Sequence, residues 1–320
     1  MYFAKKLHDN RFTRSLKQSS VRLAAANGQI RPAFNWYYSL LGAKARSNFH
    51  ARYAKIFRDR NVSISSGTWN VDFLNHRIRL PLRPSWSWLD WDIALSLVGH
   101  DVEVVQTYAA LIISDQRPAL FMDIGANYGM HSILFLSTGI PVIAFEPNPS
   151  CAAHFDCICD LNGFSARWER VAVGHTFGEV ELVYPDKETW LGSVSRHVVS
   201  QLERSGAVTK LRVPMKPLDH YLNDIPPGRI LIKIDVEGHE REVLIGAAQV
   251  LRRRMPKIIF ESSNRDGRDD LVRLLNEYGF DVHELPWSPS IYSRALVGND
   301  FLISKAINFV AIPSLSGGMQ

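Results

Sequence analysis

The sequence predicts an α/β protein with a doubly wound, largely parallel sheet, preceded by a mainly helical extension. Three observations carry that expectation. After Pro118, short apolar runs alternate with helix-length segments. Two successive runs end in polar turns, Asp123-Ile-Gly125-Ala-Asn127-Tyr-Gly129 and Phe145-Glu146-Pro147-Asn148. Residues 1–99 follow another pattern, basic and rich in aromatics. At 320 residues the chain can hold one large domain with an appendage, or two domains. The expected division is 1–99 followed by 100–320.

Residues 1–60 read as helical, with Phe3, Leu7, Leu16 and Leu23 loosely spaced for an apolar stripe. The next segment, VSISSGTWNVDFLNHRIRLPL, alternates apolar and polar residues, and its Gly67 suggests a hairpin. An aromatic cluster follows at Trp86, Trp88 and Trp91, and then a helix near 99–114. ALFMDIG is a short apolar run ending in glycine, as a buried parallel strand should be. Helix NYGMHSILFLSTG, strand PVIAFEP, helix SCAAHFDCICDLNGF and strand SARWERVAVG continue the alternation. Residues 178–184 and 208–215 read as smaller strands around an insertion. LDHYLND reads as a helix, GRILIKIDVEG as the fourth core strand, REVLIGAAQVLRRR as one helix and PKIIFES as the fifth strand. Helix RDDLVRLLNEYG and closing strands FDVHELP and NFVAIP complete the sheet.

Composition narrows the classes. With 46% hydrophobic and 22% charged residues the chain is an ordinary globular one, which excludes wholesale disorder. Cys151, Cys157 and Cys159 are an odd set within nine residues, so they build no disulfide framework and point to a reducing compartment. Their C-x5-C-x-C spacing lacks the paired knuckles of a zinc site, with only His154 nearby, so no metal is expected there. The net charge of +5 is uneven. Residues 1–60 carry 13 Lys and Arg against Asp9 and Asp59, a local +11, which leaves −6 for the remainder. A basic arm on an acidic body suggests peripheral contact with an anionic membrane, or with a phosphorylated acceptor. A plain solvated helix face explains the arm equally well. No reader motif for nucleic acid is present, and none is expected as a partner. No run approaches the roughly 20 apolar residues of a membrane span. The acid-poor start also fits an organellar transit peptide, while the main expectation is a cytoplasmic, membrane-peripheral protein.

Ligands of such sheets bind beyond the carboxyl ends of the strands, at the topological switch point. Gly125 and Gly129 let the backbone turn tightly and approach a ligand, and the turn opens a helix N-terminus. Glu146 stands 21 residues after Gly125, where a carboxylate can accept both hydroxyls of an adenosine ribose. A dinucleotide needs G-x-G-x-x-G, but Asn127 occupies the position of the second glycine. Asp123 would repel a pyrophosphate yet attract a methionine ammonium. The pattern therefore favours S-adenosyl-L-methionine, with a nicotinamide cofactor as the alternative.

The string Leu231-Ile-Lys233-Ile-Asp235-Val-Glu237-Gly238-His239-Glu240 resembles the signature of the FkbM family of methyltransferases. DIGANYGMHS and AFEPNP resemble that family's first and second motifs, and VAVGHTFGEVEL, PLDHYL and PKIIFES follow in the same order. The resemblance covers about residues 100–312. It implies a Rossmann-like class I methyltransferase fold, with methyl transfer to a hydroxyl of a sugar, glycolipid or polyketide-like acceptor. It also implies a donor site of Asp123, Gly125, Asn127, Gly129, Glu146 and Asn162.

A sulfonium donor already carries a good leaving group, so the protein must place the nucleophile in line and remove its proton. Asp235, Glu237 and His239 sit at the end of the fourth strand, where such a base belongs. Alternation puts Lys233, Asp235 and Glu237 on one side. Asp235 is the leading base or orienting acceptor, and His239 the next choice because its ordinary pKa suits the role. Glu237 could instead cap the following helix, and Glu240 favour its dipole. Glu261 lies on the same rim, and His131 more readily packs over the donor than moves protons. A divalent cation on the D-x-E-x-H cluster is disfavoured, since only two carboxylates are evident. Trp86, Trp88, Trp91 and Trp190 could stack on sugar rings or simply fill a core. A non-catalytic protein that binds the methyl donor is the remaining alternative.

Overall fold

In the computed structural model, residues 19, 21–58, 65–186, 191–262, 267–297 and 299–314 are described. Phe3, Leu7, Leu16 and Trp190, and the acid-poor start, lie outside them. Leu23, the remaining member of the expected stripe, is 54% exposed and faces outward. The chain divides into two compact units, 1–102 with 160–163, and 103–159 with 164–320.

The first unit begins with a helical turn, α1, at residues 21–26. Helices α2 (Arg31–Ser39) and α3 (Ala43–Arg58) follow, then strands β1 (Gly67–Phe73) and β2 (His76–Leu82), and helix α4 (Ser87–Ser96). The hairpin is present, but Gly67 only opens β1. The two-residue turn is Leu74-Asn75, both with positive φ, as a right-twisted ribbon demands. An aromatic core holds the unit. Trp69 and Trp91 are fully buried with ring centroids 5.1 Å apart, and Tyr38 lies 5.5 Å from Trp69. Trp91 is thus core rather than a stacking platform. Arg83 stacks over Trp86 and pairs with the buried Asp90 at 2.7 Å.

The second unit opens with α5 (Val102–Ile113) and carries seven strands in the order β11-β12-β10-β9-β3-β4-β5. These are β3 (Leu120–Ile124), β4 (Val142–Phe145), β5 (Arg167–Glu169), β9 (Ile230–Ile234), β10 (Lys257–Glu261), β11 (Phe280–Glu284) and β12 (Asn308–Pro313). All pairs from β10 to β5 are parallel, and β12 enters antiparallel between β10 and β11. This is the doubly wound α/β sheet expected. Helices α6 (Met130–Ser137) and α7 (Pro149–Asn162) follow β3 and β4. Every residue of β3 and β9 is buried, which explains why these strands read as unbroken apolar runs apart from Asp123 and Lys233.

Three expected elements differ. The third strand splits, and β6 (Ala172–Val173) leaves the main sheet to pair with β8 (Val208–Lys216). β8 also pairs antiparallel with β7 (Gly178–Pro185), and α8 (Arg196–Ser205) links β7 to β8. LDHYLND makes a single 3-10 turn at Leu218–Tyr221. The expected long helix is two, α9 (Glu240–Ile245) and α10 (Ala248–Arg254). A tertiary contact breaks it: a Cβ on Gly246 would fall 1.9 Å from the carbonyl of Gly174. The carboxylate of Asp219 then caps the second helix, accepting from Gln249 N and Val250 N at 2.9 Å. Finally α11 (Arg268–Glu277) begins at a fully buried arginine. Arg268 donates to the carbonyls of Ser262, Phe301, Ser304 and Ala306, anchoring the chain just beyond Glu261. α12 (Asn299–Ile303) supplies one of those carbonyls.

No helix among the described residues is long and apolar enough to cross a membrane.

Candidate functional site

The chain leaves β3 toward β4 on one side, and β9 pairs with β3 on the other, so the switch point lies at the carboxyl ends of β3 and β9. Their two turns meet closely. Asp235 N donates to Ile124 O at 3.0 Å, and a Cβ on Gly125 would lie 1.8 Å from Asp235 O. Gly125, with φ 79°, is therefore demanded by the approach of the β9 turn. Gly129, with φ 76°, is demanded by the Phe155 ring of α7, which a Cβ would reach at 2.0 Å. Both glycines are thus demanded by internal packing.

Glu146 directly follows β4 and is anchored on both carboxylate oxygens. One accepts Asn127 N at 2.9 Å, the other Asn148 N at 2.8 Å. Asn127 adopts φ 52°, a conformation asparagine tolerates, and this aims its N–H at Glu146. Asn148 also caps α7, its Oδ1 accepting Ser150 N at 3.0 Å. The sequence showed that role as Asn-Pro-Ser at a helix start, and it was missed. Burial is the main force pushing the Glu146 carboxyl up to about 7, against the two backbone N–H groups that favour its ionised form. A carboxylate has about four acceptor positions, so two anchoring bonds leave capacity for two ribose hydroxyls.

Asp123 keeps one carboxylate oxygen, Oδ1, buried without a hydrogen-bond partner among the described residues. It is fully buried, and Oδ2 accepts from Ser132 N at 3.1 Å and Ser132 Oγ at 2.7 Å, holding the first turn of α6. Register places Lys233 directly across from it on β9. Burial raises Asp123 to about 6, while the Lys233 charge opposes that rise. Asn162 is also engaged elsewhere. Its carboxamide exchanges two hydrogen bonds with the backbone of Arg79 on β2, at 2.8 and 2.7 Å.

The end of β9 gathers acids around a buried cation. Lys233 is 1% exposed and its Nζ lies 2.6 Å from Asp235 Oδ2. Glu261 ends β10 one step beyond the Ile234–Phe260 pair, which sets it beside Asp235. Burial and the Asp235 charge, to which it is hydrogen-bonded, hold the Glu261 carboxyl well above the usual carboxylate range. Glu237 sits at φ 50° on the turn, and burial first, then Asp235 and Glu240, raise it to about 7. Glu240, not Glu237, pins this turn: its Oε1 accepts Gly238 N at 3.1 Å and Val236 N at 3.3 Å. Ser193 Oγ donates to Glu237 O at 2.8 Å, so the segment before α8 borders the same turn. The structure thus brings Asp235, Glu237, Glu261 and Lys233 together.

His239 is not part of that group. Its Nε2 lies 3.2 Å from the Cβ position of Gly174, and the charges acting on it are those of Glu242 and His175. Burial lowers its pKa. The side chain faces the β6 end, where its buried Nε2 has no hydrogen-bond partner among the described residues. His131 packs edge-on against Tyr108, with centroids 5.6 Å apart. Among the described residues no set of three His, Cys, Asp or Glu is arranged to hold a metal ion. The three cysteines are free thiols, and Cys151 Sγ contacts Asn127 Oδ1 at 3.6 Å beside Glu146. The sequence signal for Lys233 was a lysine inside an apolar strand, which cannot be buried without a counter-charge.

Residues 123–282 match the family model described as the methyltransferase FkbM domain. Methyltransferase sdnD of Sordaria araneosa is 27% identical over 203 residues, covering 54% of this chain and 78% of that protein. The AMB antimetabolite synthetase AmbE of Pseudomonas aeruginosa is 27% identical over 226 residues, 58% of this chain. The chain spans only 10% of that synthetase's length. A crystal structure of methyltransferase FkbM from Methylobacillus flagellatus aligns with a TM-score of 0.39 at 14% identity, covering 72% of this chain and 56% of that one.

Proposed function

Because the chain belongs to the FkbM methyltransferase family, with its second unit in the Rossmann-like class I methyltransferase fold, we propose that it moves a methyl group from S-adenosyl-L-methionine to a hydroxyl of a sugar, glycolipid or natural-product acceptor. The observation that carries this reading is Glu146, anchored by two backbone N–H groups beside the switch point. Its remaining lone pairs fit a ribose diol, and Asn127 and the turn at Gly125 border it. The donor supplies an electrophilic methyl on sulfur. Asp235 accepts the acceptor's proton, and Lys233 keeps that carboxylate charged and aimed. Glu261, held neutral by its surroundings, steadies Asp235 from the other side. The name of the Pseudomonas synthetase, an antimetabolite producer, supports a natural-product acceptor.

Incubation with radiolabelled donor and cell extracts, fractionated into lipid, polysaccharide, small-molecule and macromolecular pools, tests the reading. Label is expected in one of the first three. Label confined to protein or nucleic acid defeats it.

The electrostatics add a pH dependence. A ribose diol donates two hydrogen bonds, so donor binding selects ionised Glu146, whose carboxyl is raised from the ordinary 4.5 to about 7 in the free protein. Binding below that value must release a proton. Affinity for the donor should therefore rise roughly tenfold between about pH 6 and about pH 8, then level off. In the free protein the same shift acts oppositely on stability: the contribution is full below 4.5 and lost as pH rises through about 7. Calorimetry in two buffers of different ionisation enthalpy reads the proton directly; an unchanged Kd across that range contradicts the assignment.

A further inference from the structure

The first unit contains a helix whose amphipathy is inverted. α2 buries Arg31, Asn35 and Tyr38, while Ile30 is 40% exposed, Trp36 66%, Tyr37 52% and Leu40 62%. Positions 30, 33, 36, 37 and 40 follow the spacing of one helical face, so these side chains form one continuous apolar and aromatic strip, with Ala33 between them. The inward orientation is locked. Arg31 donates to Ser66 O at 3.1 Å, Ala25 O at 2.9 Å and Ser65 O at 2.6 Å. Asn35 acts like a strand residue, donating to Asn70 O at 2.7 Å and accepting Asn70 N at 2.8 Å. Tyr38 OH donates to Leu95 O at 2.9 Å. Rotating the helix to hide its apolar strip would break all of these buried bonds, so the strip stays outside.

Charge identifies what covers it. From residue 10 to residue 58 the sequence has no Asp or Glu. Arg22 and Lys44 are exposed on the segments flanking α2. Trp and Tyr with leucine at their side, bordered by cations and without acids, match the boundary between headgroups and acyl chains of an anionic bilayer. A protein partner of comparable fit would need an acidic rim matched to those cations, whereas an anionic bilayer presents negative charge in every direction.

We propose that the exposed face of α2, centred on Trp36, Tyr37 and Leu40, docks this protein on an anionic membrane surface. The proposal does not depend on the methyl-transfer reading. Its test is sedimentation of the full chain with vesicles of equimolar phosphatidylcholine and phosphatidylserine, against vesicles of phosphatidylcholine alone. The wild type should bind the anionic vesicles preferentially, and moderate salt should weaken it. The variant Trp36→Ser, Tyr37→Ser, Leu40→Ser should lose about tenfold or more in partitioning, and Arg22→Glu with Lys44→Glu should remove the preference for anionic lipid. Because all five positions are exposed, the variants should keep the wild-type melting transition and donor affinity, and those two readouts separate lost docking from lost folding. If a folded serine variant partitions like wild type, the proposal fails. It also fails if the wild type ignores anionic vesicles and the serine variant instead turns a dimer into a monomer, which would assign the strip to a second copy of the chain.

Discussion

Glu146→Ala should cut affinity for S-adenosyl-L-methionine by about 100-fold or more, while the protein still melts cooperatively. The carboxylate does two things at once. It holds the β3–α6 turn through Asn127 N and the start of α7 through Asn148 N, at 2.9 and 2.8 Å, and it offers lone pairs to the ribose. Hydrogen bonds to a charged group contribute about 1.5–3 kcal/mol each, so losing two ribose bonds already amounts to about 3 kcal/mol, or roughly a hundredfold. Glu146→Gln separates the two duties. The amide keeps the shape but has a single acceptor oxygen, and its NH2 is forced against one of the anchoring N–H groups. An intermediate loss of about tenfold is expected, with no pH dependence between about pH 6 and about pH 8, because the titrating group is gone. Calorimetric titration of the three proteins at two pH values measures all of this. Wild-type affinity in the alanine variant would remove Glu146 from the site.

The central strands β3, β4 and β9 were legible because every one of their residues is buried, so hydrophobicity marks them. Glu146 was legible because a carboxylate directly following such a strand has no apolar reason to exist. What was not legible arises from contacts between segments distant in sequence. Nothing near Gly246 says that the carbonyl of Gly174 will arrive there, or that Asp219 will cap a helix 30 residues away. The packing demands on Gly125 and Gly129 were hidden in the same way, since the groups that crowd them, Asp235 O and the Phe155 ring, belong to other elements. His239 is one residue from the Asp235–Glu237–Gly238 turn, yet its ring lies against Gly174. Strand alternation predicts direction only while the strand lasts, and β9 ends at Ile234. The inverted face of α2 was also hidden, because a sequence shows which residues share a helical face but not which face the hydrogen bonds of Arg31 and Asn35 will fix inward.

The position of His239 leads to a comparison of candidate bases. Asp235→Asn should lower kcat by about 100-fold to 10,000-fold, the usual worth of a general base, with donor affinity changed little because the ribose site lies on β4. His239→Ala should change kcat by less than about threefold, since its ring faces Gly174 and Glu242 rather than Asp235. Lys233→Met tests the cation between these two extremes. Nζ sits 2.6 Å from Asp235 Oδ2 and Lys233 is 1% exposed, so its removal leaves the half-buried Asp235 and the buried Asp123 without the cation that lies between them. The acid limb of the rate profile should then move to higher pH, and kcat at neutral pH should fall about tenfold or more. Glu261→Gln keeps the neutral hydrogen-bonding partner that burial already enforces there, so it should be nearly silent at neutral pH. Single-turnover rates with the labelled acceptor pool distinguish these four variants. A large loss in His239→Ala with an active Asp235→Asn would reverse the assignment and place the proton on the imidazole after all.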